Sequence, residues 1–267
     1  MGDGTSRGVL TESAAGVLTV RLDRPEKRNA LDQPAQRRLV EVLEAAALDE
    51  SLRVVHLTAS GADFCSGSDW VAANQGGARP RPASLVRRLP LQSHRIIELL
   101  LSIQLPVVAS VRGSAAGMGC QLALAADFVV AADDARFWEP FVLRGFTPDT
   151  GSTWLLPRLV GLARARRMLL LGEKIDAATA VDWGLIHQAV PAEELDTTAL
   201  RLVERLASAP TVALGLTKQQ LLRSAESRLT DALADESYAL ELAARTADFR
   251  EGLVAFSERR DPDFRGS

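Results

Sequence analysis

The sequence is short of aromatic side chains, cysteine and histidine, and each shortage excludes a class of function. Aromatic residues are only 5% of the 267 residues, too few for a base-stacking surface of the kind that binds single nucleic acid strands. Two cysteines, Cys65 and Cys120, and three histidines form neither a CxxC motif nor a Cys/His cluster, so neither a disulfide framework nor a metal site is expected. Net charge is also slight. With 31 basic and 34 acidic residues the chain carries −3, which gives no electrostatic footprint for nucleic acid or an anionic membrane. The most apolar stretches are interrupted by Gln121 and Asp127, well short of a membrane span. The first seven residues, Met1 to Arg7, lack the apolar stretch of a secretory leader, so the expected compartment is the cytoplasm. What remains, 47% hydrophobic and 24% charged residues, is ordinary globular composition.

Along the chain, short apolar runs alternate with helical patterns. Strands are expected at 17–22, 54–57, 106–111 and 127–131, and helices at 33–47, 84–101 and within 113–126. Residues 76–82 are a Gly/Pro/Arg-rich connection. This alternation predicts an α/β class. From Thr150 onward the pattern is helical, with stretches at 154–171, 177–183 and 193–260. Leu200, Leu202, Val203 and Leu206 recur there at the spacing of a docking face.

Two glycine-containing segments follow strands. They are Phe64-Cys65-Ser66-Gly67-Ser68-Asp69-Trp70 and Gly113-Ser114-Ala115-Ala116-Gly117-Met118-Gly119-Cys120. Small residues let the backbone approach a ligand, and unpaired N–H groups at a helix start suit an anion such as an enolate oxygen. Each segment alone reads more readily as a tight turn or a close-packing device than as an anion site.

Together with their flanks these segments resemble the crotonase superfamily of enoyl-CoA hydratases and isomerases. Leu22-Asp23-Arg24-Pro25-Glu26-Lys27-Arg28-Asn29-Ala30-Leu31 is similar to the family's N-terminal CoA-binding loop, 64–70 to its first oxyanion loop, 113–121 to its second, and 249–260 to its closing helix. The resemblance implies a crotonase fold: a spiral core of strand-strand-helix units over 1–192 carrying the acyl-CoA site. A helical region over 193–267 would then assemble homotrimers or hexamers. It further implies an acyl-CoA thioester whose carbonyl oxygen rests between the backbone N–H groups of Ser68 and Met118. Ala30, Ser66, Gly67, Asp69, Trp70 and Gly117 would surround it, and no cofactor is needed beyond the coenzyme A of the substrate. Arg24, Lys27, Arg28, Arg259 and Arg260 become candidate phosphate contacts, the last two reaching a neighbouring subunit, and Phe256 a further substrate contact; a solvated charged loop is the alternative reading.

The pattern departs from the hydratases at both catalytic positions. The glutamates by which hydratases add water correspond to Gln121 and Phe141, neither of which accepts a proton at neutral pH. Glu139, two residues before Phe141, could share its strand face and act as a base, with Pro140 between them. Asp149, in Pro148-Asp149-Thr150-Gly151, resembles the proton-shuttling aspartate of phenylacetate-type enoyl-CoA isomerases. From the residues alone it also reads as a helix cap. His94 resembles a histidine of the related dehalogenases and is a candidate second base. Trp70, Trp138, Phe141, Phe146 and Trp154 are candidate pocket residues. The expected reaction is a shift of a carbon-carbon double bond in an enoyl-CoA. Hydration, hydrolysis or dehalogenation with another base is the alternative, and acyl-CoA binding without turnover is the alternative of another class.

Overall fold

The computed structural model describes residues 8–69, 81 and 83–267. Strands β1 (Val9–Ala14) and β2 (Val17–Leu22) form an antiparallel hairpin. Onto β2 are added, all in parallel, β3 (Val54–Ala59), β4 (Val107–Val111), β6 (Phe128–Ala132) and β9 (Gln188–Val190), giving the order β1-β2-β3-β4-β6-β9. Strands β5 (Ser114–Ala116), β7 (Arg136–Trp138) and β8 (Lys174–Asp176) make a second small sheet. Every residue of β4 is buried, as expected of a parallel strand covered on both faces.

Parallel neighbours need crossovers, and the helices supply them. Helix α1 (Gln33–Ala46) starts where the Asp32 carboxylate accepts the Ala35 N–H at 2.9 Å, with Pro34 in the first turn. Its Ala35, Leu39, Val42, Leu43 and Ala46 recur at helical spacing and enter the main core with Ile96 and Leu100. The helix expected over 84–101 is divided. Helix α2 (Ser84–Arg88) passes into a tight turn at Leu89–Leu91 containing Pro90, and α3 (Ser93–Ser102) begins afresh. Pro90 lacks the N–H that a continuous helix would use. Helix α4 (Met118–Leu124) follows β5 and is buried throughout.

Helices α5 (Ser152–Leu171) and α6 (Ala177–Asp182) lead to β9. Gly161 at φ 75° interrupts α5. Beyond them, α7 (Leu195–Ala207) covers the second face of the sheet, where Leu195 and Ala199 meet Val130, and Val203 and Leu206 meet Val54 and Val108. The chain continues through α8 (Thr211–Ser224), α9 (Leu229–Ala243) and α10 (Ala247–Glu258). Lys218 of α8 anchors this region, its Nζ lying 2.7 Å from Asp127 Oδ2 and 2.7 and 3.0 Å from the carbonyls of Leu100 and Leu105. No helix among the described residues is long and apolar enough to cross a membrane.

Candidate active site

The site is built on backbone contact between two loops. Cys65 N–H donates to Ser114 O, and Ala116 N–H to Cys65 O, each at 2.9 Å. Such closeness requires glycine. A Cβ on Gly119 would stand 2.2 Å from Cys65 O, and one on Gly67, whose φ is 98°, would stand 2.8 Å from Ala116 O. On its other side the first loop pairs with Leu31, whose N–H donates to Gly67 O at 2.8 Å and whose carbonyl accepts from Asp69 at 3.0 Å. That register turns the Ser68 N–H away from the Leu31 segment, and no described group accepts it. Met118 opens α4, so its N–H lacks an intrahelical acceptor. Ser68 and Met118 line one small cavity of about 20 Å³ with Phe141, Phe146 and Asp149.

The aspartate is not the helix cap. Gly151, at φ 81°, occupies the N-cap of α5 without a side-chain bond, and Ser152 satisfies the turn by donating its N–H and hydroxyl to the carbonyl of Asp149. The Asp149 carboxylate is left facing the cavity, accepting from the Thr150 hydroxyl at 2.7 Å. Burial pushes its pKa up, while the Thr150 bond and the nearby His94 pull it down. His94, half-buried in the first turn of α3, is thus close enough for its charge to act on Asp149.

Gln121 and Glu139 lie behind this cavity rather than in its lining. The Gln121 amide donates to Glu139 Oε1, both residues have no exposed surface, and Glu139 Oε2 and Gln121 Oε1 have no partner among the described residues. Burial pushes the Glu139 carboxyl up to about 8. Glu139 and Phe141 do not share a face, because β7 ends at Trp138 and Phe141 begins a helical turn at φ −55°, ψ −56°. Phe141 therefore walls the cavity while Glu139 turns inward toward Gln121 and Cys120. Their pairing is not visible in spacing alone, since strand alternation predicts a different arrangement.

The 22–31 loop is shaped by Asn29, which sequence reasoning passed over. It is buried at φ 54°, donates to Ser60 O and Asp63 O, and accepts the Arg24 N–H. Asparagine is enriched several-fold among non-glycine residues in the left-handed region, a signal that could have found it. Arg24 is held within the loop, its guanidinium on Ala30 O at 2.7 Å and on Asp32 and Asp69 at 3.0 and 3.6 Å. Lys27 is exposed, and Arg28, also exposed, pairs with Asp63 at 3.2 Å. Ser66 sits at the cavity rim with Gly67 and Gly117. Phe256 and Arg259 stand exposed at the end of α10, and Arg260 pairs with Glu251 and Glu258. Trp70 lies outside the described residues, as does all of 76–82 except Arg81. Trp138 donates to Gly172 O and Trp154 to Glu226, so both are engaged away from the cavity. Arg144, not anticipated, lines it. Cys65 donates to Asn29 O, and burial pushes its thiol up to about 12, which makes it a packing residue.

The sheet order, the helical end and the two glycine-built loops are those of the crotonase class. The chain belongs to the enoyl-CoA hydratase/isomerase family, whose model matches residues 12–267. It is 39% identical over 259 residues to 1,2-epoxyphenylacetyl-CoA isomerase of Escherichia coli K12, covering 97% of this chain and 98% of that protein. It is 38% identical over 250 residues to 2,3-dehydroadipyl-CoA hydratase of the same organism, covering 94% and 95%. A solved structure from Streptomyces coelicolor A3(2), assigned as an enoyl-CoA hydratase, superposes with a TM-score of 0.93 at 33% identity, covering 100% of this chain and 97% of that one.

Proposed function

We propose that the protein shifts a carbon-carbon double bond in an enoyl-CoA thioester, with Asp149 carrying the proton. The observation behind this reading is that one carboxylate, released from capping, faces the same cavity as two backbone N–H groups without acceptors among the described residues. The thioester oxygen would accept from Ser68 and Met118. Removing a proton from the carbon next to the carbonyl then moves charge onto that oxygen, where preorganised donors are worth about 3 to 4 kcal/mol each. Asp149 takes that proton and delivers it two carbons further along, and the double bond moves into conjugation. Burial raises the carboxyl's proton affinity, which improves it as a base for the first step. The reaction consumes no water and transfers no electron, so it calls for no cofactor beyond the coenzyme A of the substrate.

Hydration would need a water held and deprotonated on the opposite side. Gln121 is turned to Glu139 and Phe141 has no proton to exchange. The test is Asp149→Asn, which keeps the acceptor for Thr150. It should preserve folding and ester binding while lowering isomerisation of a 3-enoyl-CoA at least about 100-fold, the scale of one general base. Turnover within a few-fold of the unaltered protein would remove Asp149 from this role.

A further inference from the structure

A larger cleft, about 360 Å³, adjoins the small cavity and shares Ser68 with it. Its volume falls at the lower end of the range of small-molecule sites, roughly 300 to 1,000 Å³. The walls come from the start of α1 and the end of α2, with Leu31 and Leu89 apolar and Arg37 and Arg88 cationic. Two carboxylates also line it, Asp32 and Asp69, and both are turned to the guanidinium of Arg24. Arg37 and Arg88, by contrast, make no ion pair or hydrogen bond among the described residues, although the chain as a whole is acidic.

The surrounding sequence strengthens this asymmetry. From Ser84 to Ile97, which carries the α2 wall of the cleft, there is no aspartate or glutamate, while Arg87, Arg88 and Arg95 all fall in that interval. Arg95 is answered by Glu44 and Glu98. A methyl-ended chain would offer nothing to the two guanidinium groups of this cleft, of which Arg37 is exposed and Arg88 half-buried. A carboxylate matches the fork geometry of arginine and is bound by charge-assisted hydrogen bonds.

We propose that this cleft receives the far end of the acyl chain and that Arg37 and Arg88 bind a carboxylate there, making the preferred substrate an acyl-CoA with a second acid group. This rests on the reading of the neighbouring cavity as an acyl-CoA site. An ester whose carbonyl oxygen lies on Ser68 has the cleft immediately beside it, and the chain between thioester and carboxylate runs along Leu31 and Leu89.

The experiment is calorimetric binding of two saturated esters of equal chain length, hexanoyl-CoA and adipoyl-CoA, to the full-length protein, to Arg37→Gln, to Arg88→Gln and to the double variant. Adipoyl-CoA should bind the unaltered protein at least about tenfold more tightly, and raised salt should erode the preference. In the double variant the ratio should fall toward one. Equal affinity of the two esters for the unaltered protein would overturn the proposal. So would an equal loss for both esters in the double variant, which would give the arginines to a phosphate of the coenzyme instead. Saturated esters are not turned over, so the outcome is independent of whether Asp149 moves a proton. Failure of both esters to bind would overturn the acyl-CoA reading together with this one.

Discussion

Replacing Glu139 with glutamine should make the protein more stable at alkaline pH and leave it nearly unchanged in acid. Glu139 has no exposed surface, and its carboxyl is pushed from about 4.5 up to about 8 because ionisation in that place would strand a charge away from water. Holding the proton also settles the hydrogen bonding. The Gln121 amide donates to Glu139 Oε1, and a proton on Oε2 can be donated back to Gln121 Oε1, so one proton supplies partners to both atoms that otherwise lack them. Between about pH 4.5 and about 8 the folded protein retains this proton while the unfolded chain has lost it. Unfolding free energy therefore falls as pH rises through that window, by about 1.36 kcal/mol per pH unit and roughly 5 kcal/mol in all. Glutamine does not titrate, yet its own amide can donate to Gln121 Oε1 while its carbonyl accepts from Gln121, so the pair survives. His56 works in the opposite sense. Burial pushes it down to about 4, so its contribution grows as pH rises toward its unfolded value. Because His56 is common to both proteins, it cancels in their difference. Urea unfolding of the two proteins at about pH 5 and about pH 8, at one protein concentration, should show near-equality at the lower pH and a several kcal/mol advantage for Glu139→Gln at the higher. Parallel stabilities across that range would refute the buried neutral acid. Glu139→Ala at about pH 5 gives the complementary value: it should lose about 1 to 3 kcal/mol for the unpaired Gln121 amide, and more for the space left behind.

Lys218→Met should cost about 3 to 5 kcal/mol in denaturant unfolding, because it leaves the partly buried Asp127 carboxylate without its counter-charge; adding Asp127→Asn should recover part of that loss. Gly119→Ala forces a Cβ to 2.2 Å from Cys65 O and must push the two loops apart, so isomerase turnover should fall about 100-fold or more while ester binding falls less, as separate kcat and KM measurements would show. Phe256 is 86% exposed on α10, so Phe256→Ala with Arg259→Ala should leave subunit folding intact by circular dichroism and weaken CoA-ester binding several-fold if a neighbouring subunit presents these residues to the ligand; unchanged affinity would count against that arrangement.

The architecture was legible where local chemistry and global packing agree. Asp32 and Pro34 mark the start of α1, the apolar run at β4 reads as a doubly covered strand, and the glycines at 67 and 119 announce backbone approach. Legibility fails where one residue satisfies two local rules. The expected helix over 84–101 has a continuous helical pattern, yet Pro90 divides it, and the three-residue strands β7 and β8 are too short to leave a period. Arg24 has the character of a phosphate contact, but its guanidinium is spent on Ala30, Asp32 and Asp69 of its own neighbourhood.

Asp149 shows why a sequence could not decide between cap and base. The Pro-Asp-x-Gly segment suits either, and the two residues that follow exclude the cap. Thr150 is buried and held at φ 54°, and Gly151 at φ 81° takes the N-cap. A β-branched residue in the left-handed region is costly, on the order of 1 to 3 kcal/mol, and persists only where the surroundings dictate it. Here that conformation allows the Thr150 hydroxyl to donate to Asp149 Oδ1 at 2.7 Å, while the backbone turn moves the carboxylate off the helix and toward the cavity. A cap would need neither the strain nor the glycine, since an aspartate directly before a helix adopts ordinary extended angles, as Asp32 and Asp176 do in this chain. The strain is therefore tied to the placement of the carboxylate, which is the feature that a proton-carrying residue requires.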